Sequence, residues 1–241
     1  VKLFLATTST RPRLYEEIKE SPYLLESFYY FKEWQAPLVK SAKMFLVDSG
    51  AFTFMSSGAA VDWDAYVTRY INFINRLGIQ YFFELDIDSV VGYERVKAIR
   101  KRLEAETGRQ CIPVWHKSRG MDEYLRLCEE YPYIAIGGFA IGTIKRQEYQ
   151  FIPRLLRAAA VRGTKVHGLG FTPANVEEYG FFSTDSSTWN TGSRYAATYQ
   201  FSYGRMKTIK RPEGKRLTNH LELDRYNLRQ WIKFQKYLDR S

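Results

Sequence analysis

The feature that most restricts the fold of this chain is a repeated rhythm: a short apolar run, a polar or glycine-containing loop, then a helix-period stretch. The runs occupy residues 2–7, 44–49, 81–87, 110–116, 133–138, 165–170 and 180–185. They are rich in β-branched and aromatic residues and apolar at successive positions, as strands are when both faces of their sheet are covered. Between them, Trp63, Tyr66, Tyr70, Phe73 and Leu77 make one helical stripe, with Asp62 as N-cap and Gly78 as stop. Val96, Ile99 and Leu103 make a second, and Met121, Tyr124, Leu125 and Cys128 a third. Pro153 fits only near a helix start or at a kink. Alternating strand and helix imply a parallel sheet with right-handed crossovers. Seven runs plus an eighth strand sought within 197–209 predict an α/β fold, a single-domain (β/α)8 TIM-like barrel spanning 1–241. It would carry a basic segment at 205–216 and a C-terminal helix at about 218–239, with Leu221, Leu228, Trp231, Ile232 and Leu238 facing inward. An open doubly wound sheet is the alternative arrangement.

Composition narrows the partners. Apolar residues at 45% and aromatics at 16% supply a packed core, which excludes a disordered chain. A net charge of +10 favours a polyanion, although solubility alone also accounts for such an excess. Cys111 and Cys128 both fall in apolar contexts and read as reduced, buried thiols. No apolar stretch approaches the roughly 18 residues needed to cross a bilayer, and residues 1–7 read as a first strand instead of a signal sequence. The expectation is a cytoplasmic protein with no membrane partner.

In a barrel the active site forms where strands end and βα loops begin. The strand ends here are Asp48-Ser49-Gly50-Ala51-Phe52, Asp86-Ile87-Asp88, Trp115-His116-Lys117, Gly137-Gly138-Phe139, His167-Gly168-Leu169-Gly170 and Asp185-Ser186-Ser187. Three strands thus deliver carboxylates to one rim, where converging charges raise one another's pKa and let one acid stay protonated beside an ionised neighbour. Glycines on two other strands let a flat ligand approach the backbone, and Phe52 offers a ring on which a base can stack. Each element also has a plainer reading: an Asp after a strand as a helix N-cap, paired glycines as a tight turn, Phe52, His116 and His167 as core. Taken together the constellation suggests glycosyl chemistry.

At these residues the chain resembles the guanine transglycosylase superfamily, barrel enzymes that insert 7-deazaguanines into tRNA or, in bacterial and phage relatives, into DNA. Asp48-Ser49-Gly50-Ala51-Phe52 resembles a D-S-G-G-F/Y motif and Leu85-Asp86-Ile87 an L-D-I motif. Gly138-Phe139-Ala140-Ile141-Gly142 resembles a G-L-A-V-G loop, and Gly168-Leu169-Gly170-Phe171-Thr172-Pro173 a G-V-G-T-P element with one extra residue. Asp185 stands where the family keeps its nucleophile, and residues 188–194 loosely echo a T-R-x-G-R segment. The chain departs from the tRNA enzymes in having no cysteine after Cys128, so their thiolate zinc site cannot form. It is also shorter, and it has His116 near the position where the family often carries a base-reading Gln. The first two departures favour the 7-deazaguanine DNA transglycosylases, the DpdA group found in phages, which would place the protein in the host cytoplasm.

The resemblance implies a double displacement. Asp185 attacks C1′ of the target nucleotide, guanine leaves, and a free 7-deazaguanine base attacks the same carbon. Asp48 handles the proton. Asp86 holds the base edge, with Asp88, His116, His167 and the backbone of Gly138 and Phe139 as further base-binding candidates. Nucleic acid, either DNA or alternatively tRNA, would meet Lys117, Arg119, Arg194, Arg205, Lys207, Lys210, Arg211, Lys215 and Arg216. For the 205–216 stretch a solvated loop is the plainer reading. No metal and no cofactor are expected. The family often pairs subunits, which makes a homodimer a further expectation. A non-catalytic nucleic-acid-binding barrel is the rival reading. A metal-dependent hydrolase fits poorly, because His116, His167 and His220 are isolated from one another in the sequence.

Overall fold

A computed structural model describes residues 1–51, 53–54, 61–195, 197–210 and 219–240. Eight strands form one parallel sheet: β1 (Lys2–Ala6), β2 (Tyr23–Ser27), β3 (Met44–Asp48), β4 (Tyr81–Phe82), β5 (Val114–Trp115), β6 (Tyr133–Ile136), β7 (Lys165–Gly168) and β8 (Ser183–Ser186). Their spatial order is β4-β3-β2-β1-β8-β7-β6-β5, which is chain order with β1 beside β8. A parallel bridge between Phe83 and Ile112 joins the two outer strands, with Ile112 N–H on the Phe82 carbonyl at 2.8 Å. The architecture is a TIM-like barrel.

Strand alternation sorts side chains between two cores. Met44 and Leu46 of β3 join Phe4, Tyr23, Leu25, Phe83, Ile112, Val114, Tyr133 and Ala135 inside the barrel. Their neighbours Phe45 and Val47 point outward, into the larger core shared with the helices. Asp48 continues the inward series of β3 and therefore arrives at the mouth of the barrel.

The helices follow from the apolar stripes. The Trp63–Leu77 helix begins at Asp62, whose side chain accepts the Ala65 N–H at 3.0 Å, and ends at Gly78. It buries Tyr66, Val67, Tyr70, Ile71 and Ile74 against β3 and β4, each such side chain contributing about 1.5–3 kcal/mol. Two of its hydroxyls reach the strands: Tyr70 Oη donates to the Val47 and Phe83 carbonyls, and Tyr66 Oη to Ser49. They pin the backbone on which Asp48 stands. Pro153 sits in the first turn of the Ile152–Val161 helix. The last helix, His220–Leu238, buries Leu228, Trp231, Ile232 and Leu238, with Leu221 only partly covered. Both cysteines are buried free thiols. Among the described residues no helix is long and apolar enough to cross a membrane.

The expected eighth strand in 197–209 is corrected by the structure. That stretch is an antiparallel hairpin, β9 (Ala197–Ser202) and β10 (Arg205–Lys210), which forms its own two-stranded sheet. It packs Tyr199 and Phe201 on Trp231 and Phe234 of the last helix. The eighth barrel strand is β2. It escapes a periodicity reading because the connection before it holds only short turns, two of 3-10 type (Thr8–Thr10 and Pro12–Leu14) and one α-helical (Tyr15–Ile18), and because the buried Glu26 interrupts its apolar run. Glu26 is accommodated by Thr8 Oγ1, Ser9 N–H and the Gln35 amide at 2.8–3.0 Å.

Candidate active site

The strand ends enclose a pocket of about 530 Å3, lined among others by Asp48, Asp86, His116, Gly137, Gly138 and Asp185. That volume suits a small molecule or a single extruded base. Asp88, Gly170 and residues 186–188 complete its rim.

Asp185 is the inward-facing residue at the mouth of β8, with its side chain 14% exposed. Its Oδ1 accepts the Gly170 N–H at 2.7 Å and faces His167 Nε2 at 3.1 Å. Oδ2 has no hydrogen-bond partner among the described residues. Asp48, on β3, accepts the Gly50 N–H at 3.2 Å. Burial pushes its carboxyl up to about 6; the Gly50 bond opposes the rise, and the nearby charges of Asp185 and Asp86 add to it. Gly50 itself is dictated by space, since a Cβ there would lie 2.6 Å from Ser27 Oγ and from Tyr29 Cβ.

The other wall is built differently. Asp86 bonds His116 Nε2 through Oδ2 at 2.6 Å and Arg119 Nη2 through Oδ1 at 3.2 Å. Arg119 also binds Asp88 at 2.9 Å and Glu84 at 3.4 Å, and its guanidinium lies 4.3 Å from the centre of the Tyr93 ring. Although burial alone would raise it, the Arg119 hydrogen bond and charge, with His116, hold Asp88 below the usual carboxylate range. Glu84, wholly buried, is shared with Arg100 at 2.7 Å. Burial pushes Glu84 upward against the pull of both arginines.

The pocket therefore gathers Asp48, Asp86, Asp88, His116, Gly138 and Asp185, all expected from the sequence. Several other expectations are corrected. Arg119 is 4% exposed and surrounded by carboxylates, so it does not offer a phosphate contact. His167 is fully buried behind Asp185 and is shielded from the pocket. Phe139 points its ring into an aromatic cluster, 4.5 Å from Phe171, and its carbonyl is taken by Gly142 N–H. The Gly138 carbonyl already accepts from Ile144 N–H and Thr143 Oγ1, so it is not free to read a ligand.

Among the basic residues, Lys117 is 59% exposed at the rim and paired with Glu148. Arg194 is exposed in the short Gly192–Tyr195 helix that follows β8 and its 3-10 segment, Thr188–Thr191. Arg205 lies at the wrong end of the molecule. The hairpin tip beside it packs Gly204 on Tyr237, where the last helix reaches the starts of β1 and β2 through Gln235. That is the barrel face opposite the pocket. Lys207 is exposed farther along β10, and Lys210 ends that strand. Phe52, Arg211, Lys215 and Arg216 lie outside the described residues.

Gly137, expected to leave room for a flat ligand, also makes room for His116, since a Cβ there would come 2.6 Å from His116 Cε1. Sequence reading missed Arg119 as the partner of Asp86. Nothing in the local sequence around Arg119 distinguishes it from the rim cation Lys117. Among the described residues, no group of three or more His, Cys, Asp or Glu side chains could hold a metal ion.

No protein-family model and no curated protein matches this sequence. Among solved structures, one from Aquifex aeolicus VF5 aligns with a TM-score of 0.58 at 10% identity, over 98% of this chain and 93% of that one. Likeness at such identity speaks to the fold alone. A citrate synthase variant, SbnG, aligns at TM-score 0.49 and 12% identity over 80% of this chain and 89% of that one. The carboxyl transferase domain of Rhizobium etli pyruvate carboxylase aligns at 0.49 and 13% over 99% and 47%. Neither likeness bears on the chemistry of this pocket.

Proposed function

We propose that this protein is a base-exchanging glycosyltransferase that replaces guanine in DNA with a 7-deazaguanine. The observation that carries the reading is the pairing of two unlike carboxyl groups at one pocket. Asp185 is held by a single oxygen, leaving Oδ2 for attack, while burial pushes the Asp48 carboxyl up to about 6 and no cation is bonded to it among the described residues. A nucleophile and a proton donor with environments pushed apart are what displacement at an acetal carbon needs.

Asp185 Oδ2 attacks C1′ of the target nucleotide as the bond to the base nitrogen breaks. Its electron pair leaves with guanine, which takes the Asp48 proton. The incoming base then gives a proton to Asp48 and attacks C1′, releasing the Asp185 carboxylate with configuration restored. Asp86, fixed by His116 and Arg119, keeps unused lone pairs toward the pocket and accepts N–H groups of the base edge. The target base must be extruded or single-stranded, and unstacking costs a few kcal/mol. Contacts to the polymer backbone offset it, with Lys117 and Arg194 as the best-placed cations.

The test follows guanine release from labelled DNA, and separately from labelled tRNA, in the presence of excess 7-cyano-7-deazaguanine. Release from DNA that disappears in Asp185→Ala is the expected result. Release from tRNA alone would make the protein a tRNA enzyme. Binding without release from either polymer would make it a nucleic-acid-binding barrel.

A further inference from the structure

Behind the pocket the barrel interior holds a line of polar groups that take no part in the proposed base exchange. Tyr133 Oη lies 2.5 Å from Ser183 Oγ, and Ser183 Oγ lies 2.7 Å from His167 Nδ1. His167 Nε2 completes the line at 3.1 Å from Asp185 Oδ1. Ser183 and His167 are wholly buried and Tyr133 nearly so. Phe4 and Phe83 flank the imidazole, with ring centres 5.9 and 5.3 Å away. Strand alternation produces the line: Ser183 and Asp185 share the inner face of β8, His167 of β7 stands opposite Ser183, and Tyr133 of β6 holds the inward position before Ala135, the register partner of His167.

We propose that Tyr133, Ser183 and His167 form a positioning relay that sets the tautomer of His167 and thereby aims Asp185. This rests on the reading of Asp185 as the nucleophile. The order of donors follows from the carboxylate end. An ionised Asp185 only accepts, so Nε2 carries the hydrogen that faces it. Nδ1 is then an acceptor and takes the Ser183 O–H. The Ser183 oxygen in turn takes the Tyr133 O–H, and every link points toward Asp185. In a medium this poor in water a hydrogen bond to a charged acceptor is strong, and a wrongly placed proton leaves a buried group unpaired. With Oδ1 held by His167 and Gly170, the side chain cannot rotate and Oδ2 is the oxygen that meets C1′. In the glycosyl ester Oδ1 becomes the carbonyl oxygen, and the same two donors still hold it when the carboxylate is regenerated. None of the three residues touches the substrate, so they act through Asp185 alone.

The chain has three histidines, so the nitrogen resonances of His167 can be assigned by comparison with single His→Gln variants. The first measurement is the imidazole ¹⁵N spectrum of the full-length protein, which does not depend on turnover. It should show His167 protonated on Nε2 in the wild type and altered in Ser183→Ala. Protonation on Nδ1 in the wild type, or a spectrum unmoved by Ser183→Ala, overturns the relay. The second is the guanine-release assay. Ser183→Ala should lower kcat about tenfold or more with KM within about twofold, and Tyr133→Phe should have a smaller effect of the same kind. His167→Gln, whose amide can still donate to Oδ1, should retain more activity than His167→Leu. If Asp185→Ala is dead while these variants keep full kcat, the relay is wrong and the base-exchange reading stands. If the wild type releases no guanine, that reading fails and the tautomer still decides the relay.

Discussion

The two walls of the pocket carry the same residue type and use it in opposite ways. On the β3 and β8 side, Asp48 and Asp185 receive backbone N–H groups and a histidine nitrogen, and no arginine or lysine bonds either of them among the described residues. On the β4 and β5 side, Asp86 and Asp88 share one buried arginine, itself backed by Glu84 and Tyr93. A carboxylate neutralised by a guanidinium is fixed in place and is a poor nucleophile or proton carrier. One without a cation keeps its charge or its proton for a reaction. On the proposed reading the first wall does the chemistry and the second the recognition, and substitutions on either wall test that division.

The largest effect is expected on the reactive wall. Asp185→Ala should lower base exchange at least about 10⁴-fold, as loss of a nucleophile does, while leaving nucleic-acid affinity in place. A variant that keeps more than a hundredth of the wild-type rate would remove the distinction between the walls. On the other wall, Arg119→Met is expected to act on stability before activity. It leaves Glu84, Asp86 and Asp88 without their shared cation, and breaking a buried ion pair from one side costs about 3–5 kcal/mol. Denaturant unfolding would measure it. Unchanged stability would mean that the arginine cluster is not what fixes Asp86.

How much of this division the sequence displayed depends on what each residue touches. The barrel, the helix caps at Asp62 and Gly78, and the carboxylates at the strand ends follow from periodicity and from where βα loops must lie. The misplaced eighth strand shows the limit. The hairpin of β9 and β10 alternates as a strand should, and nothing local states that its partner is itself and not β8. Arg119 shows the same limit at the site. Its position beside His116 and Lys117 marks it as a rim cation, and only the tertiary arrangement reveals three carboxylates around it. His167 likewise reads as a pocket residue from its place at a strand end. Its burial under Asp185 depends on the registers of β7 and β8. Charge and spacing are legible in one dimension, whereas partnership is not.

Asp48 offers a test with opposite signs in activity and stability. Its carboxyl is raised from an ordinary 3.8 to about 6, so between those values the folded state binds more protons than the unfolded state. Stability attributable to this group is therefore greatest at low pH, falls as pH rises through that window, and is lowest above 6. Asp48→Asn should accordingly stabilise the protein at pH 7–8 by about 1–3 kcal/mol and confer no comparable gain near pH 3. The same variant should lower exchange about 10²–10³-fold, and the wild-type rate should fall as pH rises past about 6 if the protonated form is the donor. Thermal unfolding and guanine release across one pH series would check both. A variant less stable than wild type at pH 8 would place Asp48 with the structural carboxylates of the other wall.

Gly137 probes recognition more gently. A Cβ at this position would stand 2.6 Å from His116 Cε1 and 3.0 Å from His116 Nε2, the atom that holds Asp86. Gly137→Ala must therefore turn the imidazole away and release Oδ2 of Asp86 without touching Asp48 or Asp185. The expected outcome is a KM for the free base raised roughly 5- to 30-fold, about 1–2 kcal/mol, with kcat at saturation changed far less. A loss confined to kcat would show that the β4 and β5 wall takes part in the bond-breaking step, and recognition and chemistry would not divide along the line between the arginine-bound and arginine-free carboxylates.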